Sequence, residues 1–456
     1  MIVEGVEGPV LTPGQDGFEE ERTGFNLAVR HRPDVVVGAT TPADVAAAVR
    51  HAAARGWAVA VQGTGHGASV PLDGGLLVST RRMAEVGVEP STRTARVDAG
   101  ARSGQVVEAA AVHGLAPLNG SAPHVGVVGY TLGGGLPLLG RSHGWAADRV
   151  RALEVVTADG RQHRVGPDDE LFGGLLGGRD NVGIVTAMEF ELVPITELYG
   201  GGLFFDAERV PGLLEGYVAW AADLPRSMNT SLALVPFPDD PVLPEPMRGR
   251  RVYHVRIACT AGPGVGELLV QPLRELGPRL LDTLAVLPYR ESASIHDDPP
   301  VPMPWAADNA MLTGLDSRAI ATLLAHVRDE ASVPTIVELR RLGGALADAG
   351  PHASLVGHRS AAYMLAVLTP LEGPDTQQAH RVLGRLFEDL TPWTTGRFLN
   401  FMGHGPHADH ARTRTAYEPA DLERLARLKA LHDSANTFRA NTNVLPVADP
   451  APEETA

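Results

Sequence analysis

Residues 119–144 read NGSAPHVGVVGYTLGGGLPLLGRSHG, with six glycines between Gly126 and Gly140 and no lysine, acid or cysteine. Backbone this bare either turns tightly with no ligand or brings its amides close to one. A second bare loop, GTGHGAS at 63–69, follows the strand-like run WAVAVQ. Two such loops after strands in one α+β unit favour a ligand, and a pyrophosphate-bearing dinucleotide suits them. The spacing of Gly63-Thr64-Gly65-His66-Gly67 does not fit the GxGxxG turn of a doubly wound dinucleotide fold, and no GK[ST] phosphate loop is present.

Working outward from these loops, Thr41 reads as the cap and Pro42 as the first residue of a helix over 42–55 that stops at Gly56. WAVAVQ (57–62), LLVST and TARVDAG read as strands, SGQVVEAAAVHG as a helix ended by Gly114, and VRALEVVTADGRQHRV as a hairpin about Asp159-Gly160, followed by a strand in DNVGIVTAMEFELVPI. Beyond about residue 200, GGLFFD, SLALVPF, VYHVRIACT, PTIVELRRLGG and AAYMLAVL read as strands. Helices separate them near 208–223, 265–276, 317–330 and 375–390, which predicts an antiparallel sheet covered by helices on one face. A charged helix over 418–433 precedes NTFRANTNVLP.

With 456 residues, the chain is too long for one ordinary core. Its net charge of −15 argues against a nucleic-acid surface. MIVEGVEGPV has no basic leader and no membrane-length apolar run follows, so the expectation is a cytoplasmic protein without membrane association. Cys259 is the only cysteine, which excludes an internal disulfide. Lys429 is the only lysine and points to no site by itself.

His66, between Gly65 and Gly67, has no local packing reason to be there. Taken with VQGTGHGAS, GSAPHVGVVGYTLGGGLPLLGRSHGWAADRV, DELFGGLLGGRDNVGIVTAMEFELVP, ELRRLGGAL, VGHRSAAYML and SANTFRANTNVLP, in this order, it makes the chain resemble the berberine-bridge-enzyme-like FAD-linked oxidases of the vanillyl-alcohol-oxidase/PCMH superfamily. The resemblance implies an α+β fold. A two-subdomain PCMH-type FAD-binding domain would span 1–196 and a substrate domain with a helix-covered antiparallel sheet 197–415. A C-terminal segment over 416–450 would return to the FAD domain, leaving a tail at 451–456.

It also implies FAD, attached through His66 to the flavin 8α-methyl group. The second tether of many relatives is a cysteine, and Ala122 of Gly120-Ser121-Ala122-Pro123 stands in its place, so one link is expected. The implied cofactor residues are Gln62, Gly63, Thr64, Gly65, His66, Gly67 and Ser69 in the first loop. Gly120, Ser121, Ala122, Val125, Gly126, Gly129, Tyr130, Leu132, Gly133, Gly134 and His143 follow in and after the second. Asn181, Gly183, Ile184 and Val185 would line the adenine-to-ribityl side, and Asn443 would close the pocket. Val125 falls where relatives gate oxygen.

The implied activity is hydride transfer from an alcohol, amine or activated C–H of a secondary metabolite to the flavin, with reoxidation by O2 to H2O2. A flavin-dependent cyclase without net redox, and a catalytically silent flavin-binding protein, are the alternatives. The catalytic tyrosine of the relatives' Y-x-N-Y strand is Phe401 here, in Phe398-Leu399-Asn400-Phe401. Tyr363, Glu338 and Tyr253 are the candidates for the proton acceptor; Arg340, His358 and Arg359 stand nearby in sequence. The cluster HGPHADH, with His404, His407, Asp409 and His410, reads as a solvated loop, and no metal is expected.

Overall fold

The computed structural model describes residues 3–67, 70–328, 333–371, 376–403 and 409–447. Ser69, His404 and His407 lie outside them, as does the 451–456 tail. Helix Pro42–Ala53 begins as its sequence predicts: the Thr41 hydroxyl accepts the Asp44 N–H at 3.2 Å, and the Asp44 carboxylate accepts the Thr40 and Glu7 N–H groups at 2.8 Å each. Its Val45, Ala46, Ala48, Val49 and Ala52 pack on a small sheet ordered Val10–Leu11, Val35–Gly38, Leu76–Ser79, Val59–Gln62. The last three strands are parallel and buried on both faces, which explains their unbroken apolar runs. The GTGHG loop therefore leaves the carboxyl end of a parallel strand, where open α/β sheets form ligand crevices.

A second sheet, ordered Val86–Glu89, Thr94–Asp98, Ile184–Glu191, Val150–Val156, Gln162–Val165, is antiparallel throughout. The predicted hairpin turns at Gly160, with φ at 74°. The glycine run follows helix Ser103–Ala111 in the chain and forms the short helix Val127–Leu132 against this sheet, which its sequence did not announce.

The third sheet is large and antiparallel, and its central strands run Glu197–Asp206, Arg251–Cys259, Met228–Pro236, Ile336–Arg341, Tyr363–Pro370, Trp305–Leu312. Strand Trp305–Leu312 escapes a sequence reading because Asp308 and Asn309 interrupt its apolar pattern. Fully buried Asn309 has a task of its own: its carboxamide donates to the Phe398 carbonyl at 2.9 Å and accepts the Phe398 N–H at 2.6 Å, anchoring the FLNF segment.

Register decides which residues of the large sheet face the first two. Because side chains alternate, His254, Ala233 and Glu338 share one cross-strand row, and Arg256, Ser231 and Arg340 share the next on the same face. Tyr253, Val255, Leu234, Val337, Leu339, Leu365 and Tyr363 take the opposite face, in one apolar cluster with residues of helices Leu213–Ala221 and Ser317–Arg328. Two arginines fasten the polar face to the remainder. Buried Arg141 donates to the carbonyls of Met228 and Leu224 at 2.8 and 2.7 Å and also to that of Leu342. Arg359 grips Asp148 with two bonds at 2.9 and 2.7 Å. His358, at φ 55°, contacts the Thr415 carbonyl at 3.0 Å through Nε2, so this pair is structural.

Candidate flavin site and the polar face above it

Thr64 brings the two bare loops together. Its hydroxyl accepts the Gly126 N–H at 3.3 Å and lies 2.9 Å from His66 Nδ1. The His66 ring stacks on Phe25 at 3.9 Å between centroids, with His124 on the same phenyl ring at 4.6 Å. Burial above all, then the charges of His124 and Arg102, pushes the imidazole down to about 3, so it is neutral in the working range. Its Nε2 is buried without a hydrogen-bond partner. Gly65 is required by close approach: at φ 73°, a Cβ would strike Gly24 and lie within 2.9 Å of the Gln62 side chain.

The C-terminal motif returns to these loops. Asn443 is buried and its Oδ1 is unpartnered, as are Gln62 Oε1, Asn441 Oδ1 and Thr442 Oγ1. Buried oxygens and nitrogens without partners are costly, and a polar cofactor is what such a set fits. Gly129 has open space where a Cβ would be, as a backbone that receives a ligand should. On these grounds the residues fit FAD.

Other sequence-derived residues have protein partners of their own. All of the Asn181 carboxamide is committed to protein: it donates to the Gly178 and Thr442 carbonyls at 2.9 and 3.1 Å and accepts the Val444 N–H at 2.8 Å. It staples the C-terminal segment to this loop. Ile184 and Val185 are core residues on alternate faces of their strand, and Gly183 is bare because Val155 packs on it. Leu132 is core as well. Gly133 and Gly134 make room for the FLNF segment: a Cβ on Gly133 would collide with the Asn400 carboxamide, and one on Gly134 would press on Phe398 and Val356. Asn400 in turn donates to the Tyr130 carbonyl at 2.7 Å. His143, beside Arg149, belongs to the short helix Gly140–His143 that docks on the large sheet. Ala122 is buried and carries no group able to form a second link.

Tyr253 and Tyr363 are corrected as proton acceptors because both lie in the apolar layer beneath the helices, on the wrong face of the sheet. Glu338 lies on the right face but is a counter-ion. Arg256 donates to its Oε1 at 2.8 Å and Arg340 to its Oε2 at 3.0 Å, and their charges overcome burial and lower its pKa. Asp409 caps the helix His410–Arg414, and His410 Nδ1 lies 3.2 Å from the Asn443 carbonyl.

An FAD binding domain matches residues 33–166. The chain is 25% identical over 461 residues to the (R)-6-hydroxynicotine oxidase of Paenarthrobacter nicotinovorans, covering 97% of both chains. It is also 25% identical over 458 residues to the FAD-linked oxidoreductase YgaK of Bacillus subtilis (strain 168), covering 96% of this chain and 97% of that one. The chain is an FAD-linked oxidoreductase, similar along its length to both of these proteins. In fold it resembles the glucooligosaccharide oxidase from Acremonium strictum, described with 6-S-cysteinyl, 8α-N1-histidyl FAD, at TM-score 0.84 and 20% identity over 97% of this chain and 98% of that one. No helix among the described residues of this chain is long and apolar enough to cross a membrane.

Burial of neutral histidine sets a pH dependence. Burial first, then the Arg22 charge, lowers His31 from 6.5 to about 4, and its Nδ1 accepts the Leu72 N–H at 3.0 Å. Below pH 6.5 the unfolded chain binds a proton that folded His31 refuses, so stability falls with pH until the folded value near 4 is reached. The urea midpoint is expected to be lower at about pH 5 than at about pH 7, and His31→Asn to flatten that slope.

Proposed function

We propose that this protein is an FAD-dependent oxidase of a secondary metabolite, holding its cofactor through His66 alone. It takes hydride from an alcohol, amine or activated C–H and returns the electrons to O2 as H2O2. The observation that carries the reading is the buried, neutral imidazole of His66 beside Thr64 where the two bare loops meet. With Nδ1–H donating to the Thr64 hydroxyl, the lone pair lies on Nε2, the atom without a partner. In that tautomer Nε2 is the nitrogen we assign to the 8α link. Ala122 leaves no second link, in contrast to the cysteinyl and histidyl attachment named for the glucooligosaccharide oxidase.

Bound FAD supplies a two-electron acceptor. The chain's part is to hold it: the two bare loops, open at Gly129, allow close approach, and the free oxygens of Gln62 and Asn443 offer hydrogen-bond acceptors. Val125, half-buried at the start of the second loop, is the proposed oxygen gate. Residues 1–196 form the proposed FAD domain and 197–415 the substrate domain, with 416–450 returning to the first.

The test is oxygen uptake by the holoprotein with candidate metabolites. Oxygen consumed one for one with peroxide, together with flavin bleaching in the absence of air, is the expected result. A second reading, cyclisation without net redox, draws on Phe401 and on the positions of Tyr253 and Tyr363, which leave none of these residues with a hydroxyl over the flavin. A product of unchanged mass, formed equally well without air, would establish that reading and overturn the first.

A further inference from the structure

The polar face of the large sheet carries more positive than negative charge. Arg256, Ser231 and Arg340 stand side by side on three adjacent strands, and Glu338 occupies the next row. Between the strands that carry them, Ser231 and Ala233 contribute only small side chains. His254 and His296, the latter 3.6 Å from Glu338, are neutral because burial drives their pKa values well below 6.5. Two guanidiniums thus share one buried carboxylate. The next acid, Asp298, is half-exposed and also faces His124.

Arg340 has capacity to spare. One of its terminal nitrogens binds Glu338, while its Nε is buried with no hydrogen-bond partner. Its guanidinium lies 5.1 Å from the centre of the Phe401 ring, a contact that holds the plane of the cation without consuming a donor. Tyr130 of the second glycine loop is close enough for the Arg340 charge to act on it. A narrow cavity beside Arg340 is lined by Arg256, Ser231, His296, Leu136 and Leu138.

We propose that Arg340, backed by Arg256, is a substrate-binding residue for an anionic oxygen, so that the substrate is a carboxylate, phenolate or enolate rather than a neutral sugar or alcohol. A neutral group leaves a buried N–H and an excess charge unanswered, whereas an anionic oxygen answers both in one charge-assisted hydrogen bond. A phenolate or enolate also arrives already deprotonated, as a site with Phe401 in place of tyrosine requires. The inference rests on the FAD-oxidase reading for the position of the substrate, but its test needs no turnover.

Holoprotein is titrated with benzoate, 4-nitrophenolate and the neutral benzamide, following heat and the visible flavin band. Benzamide is expected to bind at least about 10-fold more weakly than the better anion. Which anion binds better states whether the site takes a carboxylate or an ionised hydroxyl. Arg340→Met is expected to erase the preference and Arg340→Lys to keep part of it. Equal binding of benzamide and both anions by the wild-type protein overturns the proposal without any variant. So does an unchanged preference in Arg340→Met, including the case where only the flavin spectrum shifts, since Arg340 then serves the flavin. Anion preference in a protein that no substrate reduces supports this site while removing the oxidase reading.

Discussion

Acid-precipitated wild-type protein is expected to stay yellow, and His66→Ala to precipitate white with its FAD released into the supernatant. The effect is all-or-none because one bond is at stake. Ala122 has only a methyl group at the second attachment position, and the sole thiol, Cys259, is buried in the cluster beneath the helices. His66 is suited to the attachment by its surroundings: a neutral ring, stacked on Phe25, with Nδ1 occupied by Thr64 and Nε2 free. Thr64→Ala is expected to slow attachment, since it removes the contact that orients the ring while leaving the nitrogen in place. Release of flavin from the denatured wild-type protein would refute the link. Retention by His66→Ala would assign it to another residue.

Lys429→Met is expected to cost about 3–5 kcal/mol in urea unfolding, because removing one partner strands a buried charge. Lys429 is fully buried on helix Pro419–His432. Its ammonium donates three bonds of 2.8 Å, to the Asp433 carboxylate and to the carbonyls of Asn181 and Phe438. Asp433 accepts the Thr437 and Phe438 N–H groups at 2.7 and 2.9 Å, so the pair organises the start of the FRANTN motif. Asn181 holds the other end of that motif through Thr442 and Val444. The variant is therefore expected to loosen Asn443 as well, seen as faster digestion of the C-terminal segment and faster loss of flavin when combined with His66→Ala. A stability change below about 1 kcal/mol would show that the pair contributes no more than an exposed one. Because Lys429 is the only lysine, an amine-directed reagent reports its burial directly: the peptide that contains it should be modified only after unfolding.

Much of the fold was legible because its signals are local. Thr41 and Pro42 start a helix, Asp159-Gly160 turns a hairpin, and apolar runs of strand length mark most of the large sheet. Strand Trp305–Leu312 was hidden because its polar residues serve the FLNF segment, a partner remote in sequence. The candidate site divides in the same way. His66 and its bare loop stand out by composition, whereas Phe25 and His124, which frame its ring, carry no sequence signal.

The sequence by itself determined the bare loops, the histidine His66 within the first of them, and the absence of a thiol at Ala122 and of a hydroxyl at Phe401, since these follow from residue identity. Only the tertiary structure decided what each residue faces. A one-residue step along a strand reverses the face, so Tyr253 and Tyr363 went under the helices while Glu338, Arg256 and Arg340 went over the glycine run. It also divided the run NGSAPHVGVVGYTLGGG between two tasks. Gly126 joins Thr64 and His66 at the candidate cofactor site, and Gly133 and Gly134 are bare so that Asn400 and Phe398 can lie against them. Which glycine serves which neighbour depends on chain segments more than 250 residues away, and no local pattern contains that distance.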